Sequence, residues 1–325
     1  MQTRSNTLEE FSPVALAQTS EDEYCRAALR MHHNEFWWYL NGLAPYRGYS
    51  MPFQERGGRW WYRVKPGFAW PVDYFSPRIG RGGSRSPGPR LLGWQFPVAD
   101  EIANSQVWMN VIHDLSGYGI GAVGSSKRRA IRKGLSSLVI EAVNPDDPAL
   151  AEEAREVWNS HVDRTSWNRR MEIEPFRRTW SELAAWPGTT VLFARAVDGG
   201  AHLCAWLVAR VIDSTAYVDT IASHTDRVDK RPNDALIFVC LSSGALAGVR
   251  RAHYSLKSNI QSLEEFKQSL GFVAHGFPSY LLLRWPVGPV LRILRPAIYK
   301  RLHGDLEWSE NSEARHGESG AKAER

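Results

Sequence analysis

The sequence predicts an α+β fold: a mixed, mostly antiparallel sheet flanked by helices, with a smaller strand-rich half before it. Three observations predict it. Three β-branched and aromatic runs follow one another between residues 191 and 222. Two capped helical patterns follow, at 233–247 and 262–270. Short strand-like runs separate and close them, at His253–Lys257 and Ser279–Trp285.

In chain order, Met1–Ser20 is a polar, irregular tail, and Glu21–His32 reads as a short helix. Phe36–Tyr39, Trp60–Val64 and Gly67–Tyr74 are aromatic, strand-like pieces around turn signals such as Gly57-Gly58. Ser76–Arg90 holds Gly80, Gly82, Gly83, Gly88, three Pro and four Arg, so it reads as a loop. That loop is either a solvated connection or an anion-binding flap. Leu91–Phe96 and Val107–His113 return to strand character. Leu138–Val143 is a strand, and Pro148–His161 and Pro175–Trp186 are helices entered through proline.

Val191–Val197 and Leu203–Ile212 flank Asp198-Gly199-Gly200, a hairpin signal. Asp213-Ser214-Thr215 turns the chain into Ala216–Ala222. Asn233 offers an N-cap after Pro232, and the apolar stretch Ala235–Ala247 stops at Gly248. Ser262-Leu263-Glu264-Glu265 has the form of a capping box, and Gly271 closes the helix it opens. Arg292–His303 is a basic amphipathic helix broken by Pro296. It packs on its own domain or meets a membrane surface or RNA. Ser309–Arg325 has the composition of a disordered tail.

Composition bounds the function. The 325 residues suit one large or two medium domains, and 43% hydrophobic content with 14 Trp supports an aromatic core. No run approaches a membrane span, and the N-terminus lacks a secretory pattern, so a cytoplasmic protein is expected. Cys25, Cys204 and Cys240 have no metal-like spacing; Cys204 and Cys240 sit in apolar runs and read as buried free thiols. A net charge of +5 favours an anionic substrate or cofactor without requiring nucleic acid.

The order β-α-α-β-β-β-α-β-α-β over residues 136–285, the Arg-rich Lys127–Lys133 before it and Phe266-Lys267 near its end together resemble the GNAT fold. Within that fold the chain most resembles the FemAB-type branch of peptidyl and acyl transferases, over roughly residues 105–303. The resemblance divides the chain into a tail (1–20), a strand-rich, degenerate GNAT-like region (21–115), a GNAT-like acyltransferase domain (116–303) and a C-terminal tail (304–325).

Three constellations can carry chemistry. On a helix, Arg128 and Arg132 share a face, as do Arg129 and Lys133. Like charges at that spacing repel, which a phosphate bound by arginine forks would offset; the other reading is a solvated basic face. The resemblance implies that Arg128, Arg129 and Arg132 contact an anionic substrate. Lys267 alone reads as an exposed helix lysine. The resemblance implies instead that Phe266 and Lys267 line a cleft, with Lys267 stabilising charge on the acyl carbonyl or the donor phosphate.

The stretch His224–Asp234 stands where CoA-using GNAT enzymes cradle a pyrophosphate on glycine amides. It has no glycine, and Pro232 deletes an amide, so Arg227, Lys230, Arg231 and Asn233 would hold phosphate by their side chains. Asp219, His224 and Asp163 are candidate bases. Nothing in the sequence resembles a metal site, a nucleophilic triad or a dinucleotide fingerprint.

The resemblance implies an acyl- or aminoacyltransferase forming an amide by direct attack of an amine-bearing acceptor on an acyl donor, acyl-CoA or aminoacyl-tRNA. The alternatives are an acyl-CoA-dependent N-acetyltransferase acting on a small molecule or sugar amine, and a non-catalytic GNAT-fold anion-binding module.

Overall fold

The computed structural model describes residues 54–56, 59–65, 67–71, 74–75 and 92–305, with short gaps at 146, 167, 185–188, 198–201, 213 and 247. The expected helix 21–32, strand 36–39, loop 76–90, hairpin turn 198–200, the N-terminal tail and residues 306–325 of the C-terminal tail lie outside the described residues. The elements begin with strands β1 (Gln54–Arg56), β2 (Arg59–Lys65), β3 (Phe68–Pro71), β4 (Gly93–Pro97) and β5 (Ser105–Ile112). Helix α1 (Ser125–Ser137), β6 (Leu138–Val143), α2 (Pro148–Thr165) and α3 (Ile173–Ala184) follow. Next come β7 (Thr189–Ala196), β8 (Leu203–Ile212), β9 (Thr215–Ser223), α4 (Pro232–Leu246) and β10 (Arg251–Leu256). The chain ends through α5 (Gln261–Ser269), β11 (Val273–Leu283), α6 (Val287–Leu294) and α7 (Pro296–His303).

Two compact units result. One holds Val111–Ser255 with Phe266–Val273, the other 47–110, 256–265 and the chain from Ala274 onward. The sequence places a boundary near residue 115. In the contact division, residues 274–303 group instead with the N-terminal strands.

In the first unit the strands run β10-β9-β8-β7-β6. β6, β7, β8 and β9 pair antiparallel in succession, and β10 joins β9 in parallel, His253 opposite Tyr217. The two runs expected to pair do so, from Ala205 opposite Ser223 to Ile212 opposite Thr215. Period-two alternation then sorts side chains onto two faces. Leu192, Ala194, Leu207 and Ala209 pack with α4 residues Leu236 and Ile237 and with Ile131 of α1. Val191, Phe193, Trp206 and Val208 pack with Ala151, Ala154 and Val157 of α2 and Phe176 and Trp180 of α3. The Trp206 indole also donates to Ala154 O at 2.9 Å. Ala235 through Leu241 are all buried, so α4 is a core helix, apolar all round.

α2 starts as the sequence requires: Asp147 caps it by accepting from Ala149 N–H, and Pro148 takes the position whose missing N–H costs nothing. The helix continues beyond the expected His161 to Thr165, ending at Ser166 in the left-handed region.

In the second unit the order is β1-β2-β3-β4-β11-β5. β4 and β11 pair antiparallel, Phe96 opposite Tyr280, over a core of Trp61, Trp94, Phe96 and Val98. Asn104 clamps β11 by donating to Leu281 O (2.9 Å) and accepting from Leu281 N–H (2.7 Å).

Three local expectations are corrected. β11 begins at Val273, not Ser279, running through Gly276 and Pro278, because Pro278 needs only its carbonyl, which accepts from Val98 N–H. The helix expected to open at a Ser262 capping box starts at Gln261. Its reach-back comes from Glu264, whose Oε1 accepts from Ser258 N–H at 2.9 Å, while Ser258 Oγ accepts from Ile260 N–H. Asn233 is not the cap of α4. That helix begins one residue earlier, with Pro232, directly after Arg231 in the left-handed conformation (φ 59°, ψ 41°).

Candidate functional site

In the first unit, a cavity of about 500 Å³ opens where α1 passes the start of α4. One wall is the α1 face carrying Lys127, Arg129 and Lys133. The opposite wall is Arg231, Asn233 and Asp234, and Phe266 of α5 adds an aromatic side. The helices meet closely because Gly134 of α1 has no side chain: a Cβ there would lie 2.8 Å from Ala235 Cβ and 2.9 Å from Arg231 O.

Lys127 is the hinge of the arrangement. Its ammonium donates to Asp234 Oδ1 at 2.5 Å and sits 4.3 Å from the centre of the Phe266 ring. One carboxylate thus holds one cation, an aromatic face shares it, and the cavity keeps Arg129, Lys133 and Arg231 as further positive groups. Pro232 has no amide hydrogen, so the first-turn donors of α4 start with the amides of Asn233 and Asp234. Asn233 Oδ1 is screened from solvent and has no hydrogen-bond partner among the described residues. The combination of guanidinium forks, an ammonium and a helix N-terminus suits an anion with several oxygens.

The structure divides the residues singled out by sequence. Arg129, Arg231, Asn233 and Phe266 share this cavity; Arg128, Arg132, Arg227 and Lys230 do not line it. The two helical pairs of α1 explain part of this division. Arg129 and Lys133 line the cavity together, while Arg128 and Arg132, the other pair, lie off it.

Arg227 and His224 line a second cavity of about 530 Å³ with Glu153, Arg195, His202 and Asp226. His224 caps the short 3-10 turn Thr225–Lys230, its Nδ1 accepting from Asp226 N–H at 3.3 Å, which places the ring proton of the neutral form on Nε2. Asp219 pairs with Arg210 across β8 and β9, and Asp163 pairs with Arg170 at 2.9 Å; neither lines a cavity described here.

Lys267 is not the exposed helix lysine that its sequence context suggests. It is 0% exposed, with its ammonium 5.6 Å from the centre of the Tyr254 ring. Burial, and then the charge of Lys267, push the neighbouring His253 imidazole down to about 4. Lys267 does not line the first cavity, although Phe266 beside it does.

Sequence reasoning passed over Lys127 and Asp234, whose signal was available: a lysine one turn before Ile131, and an acid in the first turn of an otherwise apolar helix. Among the described residues, no group of three His, Cys, Asp or Glu side chains is placed to hold a metal, and no helix is long and apolar enough to cross a membrane.

The mixed, mostly antiparallel sheet flanked by helices has the arrangement of a GNAT-like fold. Solved structures of the same fold include the C-terminal domain (DUF2156) of an Agrobacterium fabrum protein described as a lysylphosphatidylglycerol synthetase. It is 12% identical, the match covering 91% of this chain and 99% of that one with a TM-score of 0.52. FemX is similar too, at 8% identity, covering 87% of this chain and 98% of its own with a TM-score of 0.52. At these identities the likeness is one of fold. Neither a family model nor a curated protein matches the sequence.

Proposed function

We propose that this protein is an acyl- or aminoacyltransferase that forms an amide by direct attack of an amine on an activated acyl group. One observation carries the reading: Arg129, Lys133 and Arg231 gather with the start of α4 around a single cavity. In this reading Arg129, Lys133, Arg231 and Asn233 hold the phosphate-bearing part of the donor, and Phe266 walls it. Arg128 and Arg132 extend the positive surface outward, and Arg227 and Lys230 add charge along the neighbouring turn. Lys267, buried and outside this cavity, contributes positive charge next to Phe266 on α5 rather than by touching substrate.

The amine nitrogen attacks the acyl carbon, and the bond from that carbon to the donor's oxygen or sulfur breaks. The proton lost by the amine ends on the leaving group. His224 caps the opposite end of the 3-10 turn from Arg231 and lines the second cavity, so it is not placed to take that proton directly. That turn's six residues span roughly 12 Å at the rise of such a helix. Holding both substrates together supplies the entropic part of the acceleration without a covalent intermediate.

The resemblance to the FemAB-type branch favours aminoacyl-tRNA as donor, and the loop without glycine points the same way, since side chains replace the amide cradle. An acyl-CoA donor is the second reading, supported by the place of the α4 N-terminus at the cavity.

Native mass spectrometry of the purified protein, followed by filter binding of aminoacyl-tRNA and acyl-CoA at low and high salt, tests the proposal. Binding of one donor should weaken at least tenfold in Arg129→Ala/Arg231→Ala and fall steeply with salt. If neither donor binds, or the double variant binds as well as the parent, the reading fails.

A further inference from the structure

The chain after β11 exposes apolar side chains in one short stretch. Trp285 is 86% exposed, Ile293 76%, Leu294 70%, Ile298 50% and Val290 45%. Elsewhere in the described residues large apolar groups are mainly buried, so this cluster at Trp285, α6 and α7 stands apart. Interleaved with it are Arg284, Arg292, Arg295, Lys300 and Arg301, all exposed. Between Glu265 and Asp305 the chain has no acidic residue. Lys300 makes a loose contact with Asp305 at 3.9 Å.

We infer that α6 and α7 dock the protein on the surface of an anionic phospholipid bilayer. Each helix has eight residues, about 12 Å of length, far short of a span, so the segment lies in the interface plane. Ile293, Leu294 and Ile298 enter the acyl boundary, Trp285 sits at the headgroup level, and the arginines meet lipid phosphates. Each cation near such a surface contributes about fivefold to affinity.

RNA would also attract the charge. It is disfavoured because exposed isoleucine and leucine offer a nucleic acid neither stacking nor hydrogen bonds. This inference does not rest on the transferase reading: it concerns residues of the other unit and involves no chemistry.

The test is co-sedimentation of the full chain with phosphatidylcholine vesicles, with and without phosphatidylglycerol, alongside a gel shift with single-stranded RNA and sedimentation velocity without lipid. The expected result is binding only to the phosphatidylglycerol vesicles. Ile293→Asp/Leu294→Asp should lose it more than tenfold, and Arg292→Gln/Arg295→Gln should lose it at least fivefold. Both variants should keep the parent's melting temperature, since the replaced side chains are exposed. Absence of vesicle binding overturns the inference, as does binding unchanged in Ile293→Asp/Leu294→Asp. An RNA shift abolished by Arg292→Gln/Arg295→Gln with no vesicle binding overturns it in favour of nucleic acid. A lipid-free dimer that Ile293→Asp/Leu294→Asp converts to monomer, with no vesicle binding, overturns it in favour of a second copy.

Discussion

Lys127 and Asp234 meet at 2.5 Å across 107 residues of sequence, with side chains only 12% and 8% exposed. The pair ties α1 to the first turn of α4 and is mostly shielded from solvent. Lys127→Ala and Asp234→Ala should each cost about 2–4 kcal/mol, because each strands a mostly buried charge. The double variant should cost less than the sum of the two. Chemical denaturation of the four proteins gives the coupling directly; additive losses would mean that the pair contributes nothing as a pair.

Gly134→Ala sets two effects against each other. Alanine gains about 1 kcal/mol as a helix former. Its methyl, however, would meet the Arg231 carbonyl oxygen at 2.9 Å, and a backbone atom cannot step aside cheaply. Overpacking of this kind costs about 1–3 kcal/mol, so the net change should be a loss of stability. A melting temperature equal to the parent's or higher would show that α1 can shift away from α4 without penalty.

Arg231→Gly should separate binding from folding. Arg231 is held at φ 59°, a conformation costing a non-glycine residue about 1 kcal/mol, which glycine escapes. Stability should hold or rise slightly while affinity for a polyanionic donor drops. Titration calorimetry paired with thermal unfolding reads both quantities. Affinity unchanged in this variant would remove Arg231 from the anion site.

His253 predicts acid sensitivity. Burial, then Lys267, hold its folded pKa near 4, against about 6.5 when unfolded. Below pH 6.5 the unfolded chain takes up a proton that the folded one refuses. The stability difference therefore shrinks as pH falls from about 6.5 to 4 and levels off below that. His253→Asn should flatten this part of the stability–pH curve, which urea titrations at several pH values would record. An unchanged slope would place the imidazole in contact with solvent.

Cys204 and Cys240 should resist alkylation in the native protein. Cys204 is 0% exposed and Cys240 9%, and burial pushes the Cys240 thiol up to about 12, so almost no thiolate is present at neutral pH. Peptide mapping after iodoacetamide treatment should find both modified only once the chain is unfolded. Rapid native labelling of either would show that α4 or β8 opens locally.

The sheet of the first unit was legible because its signals are local: β-branched runs, turn residues, and a single apolar stretch for α4. The cavity was only half legible. Arg129 and Arg231 announced themselves by charge, but Lys127 and Asp234 acquire meaning from a contact that no local pattern encodes. Lys267 shows the opposite difficulty. Its position beside Phe266 was readable, but its burial against Tyr254 depends on how β10 and α5 pack. The capping error has a similar origin: a serine stood at the right spacing, but the real reach-back ran from Glu264 to Ser258, outside the four-residue motif.

The walls of the cationic cavity come from α1, from the chain entering α4, and from Phe266, three stretches far apart along the polypeptide. No fragment of the chain owns the site, and a partly folded molecule has none to offer. A donor analogue should therefore act as a conformational reporter, gripping only chains that have finished assembling. At a hundredfold excess over its Kd it would add about 2.7 kcal/mol to the native state alone. Ligand-dependent protection from proteolysis would then count the competent molecules in a preparation even before any turnover is measured.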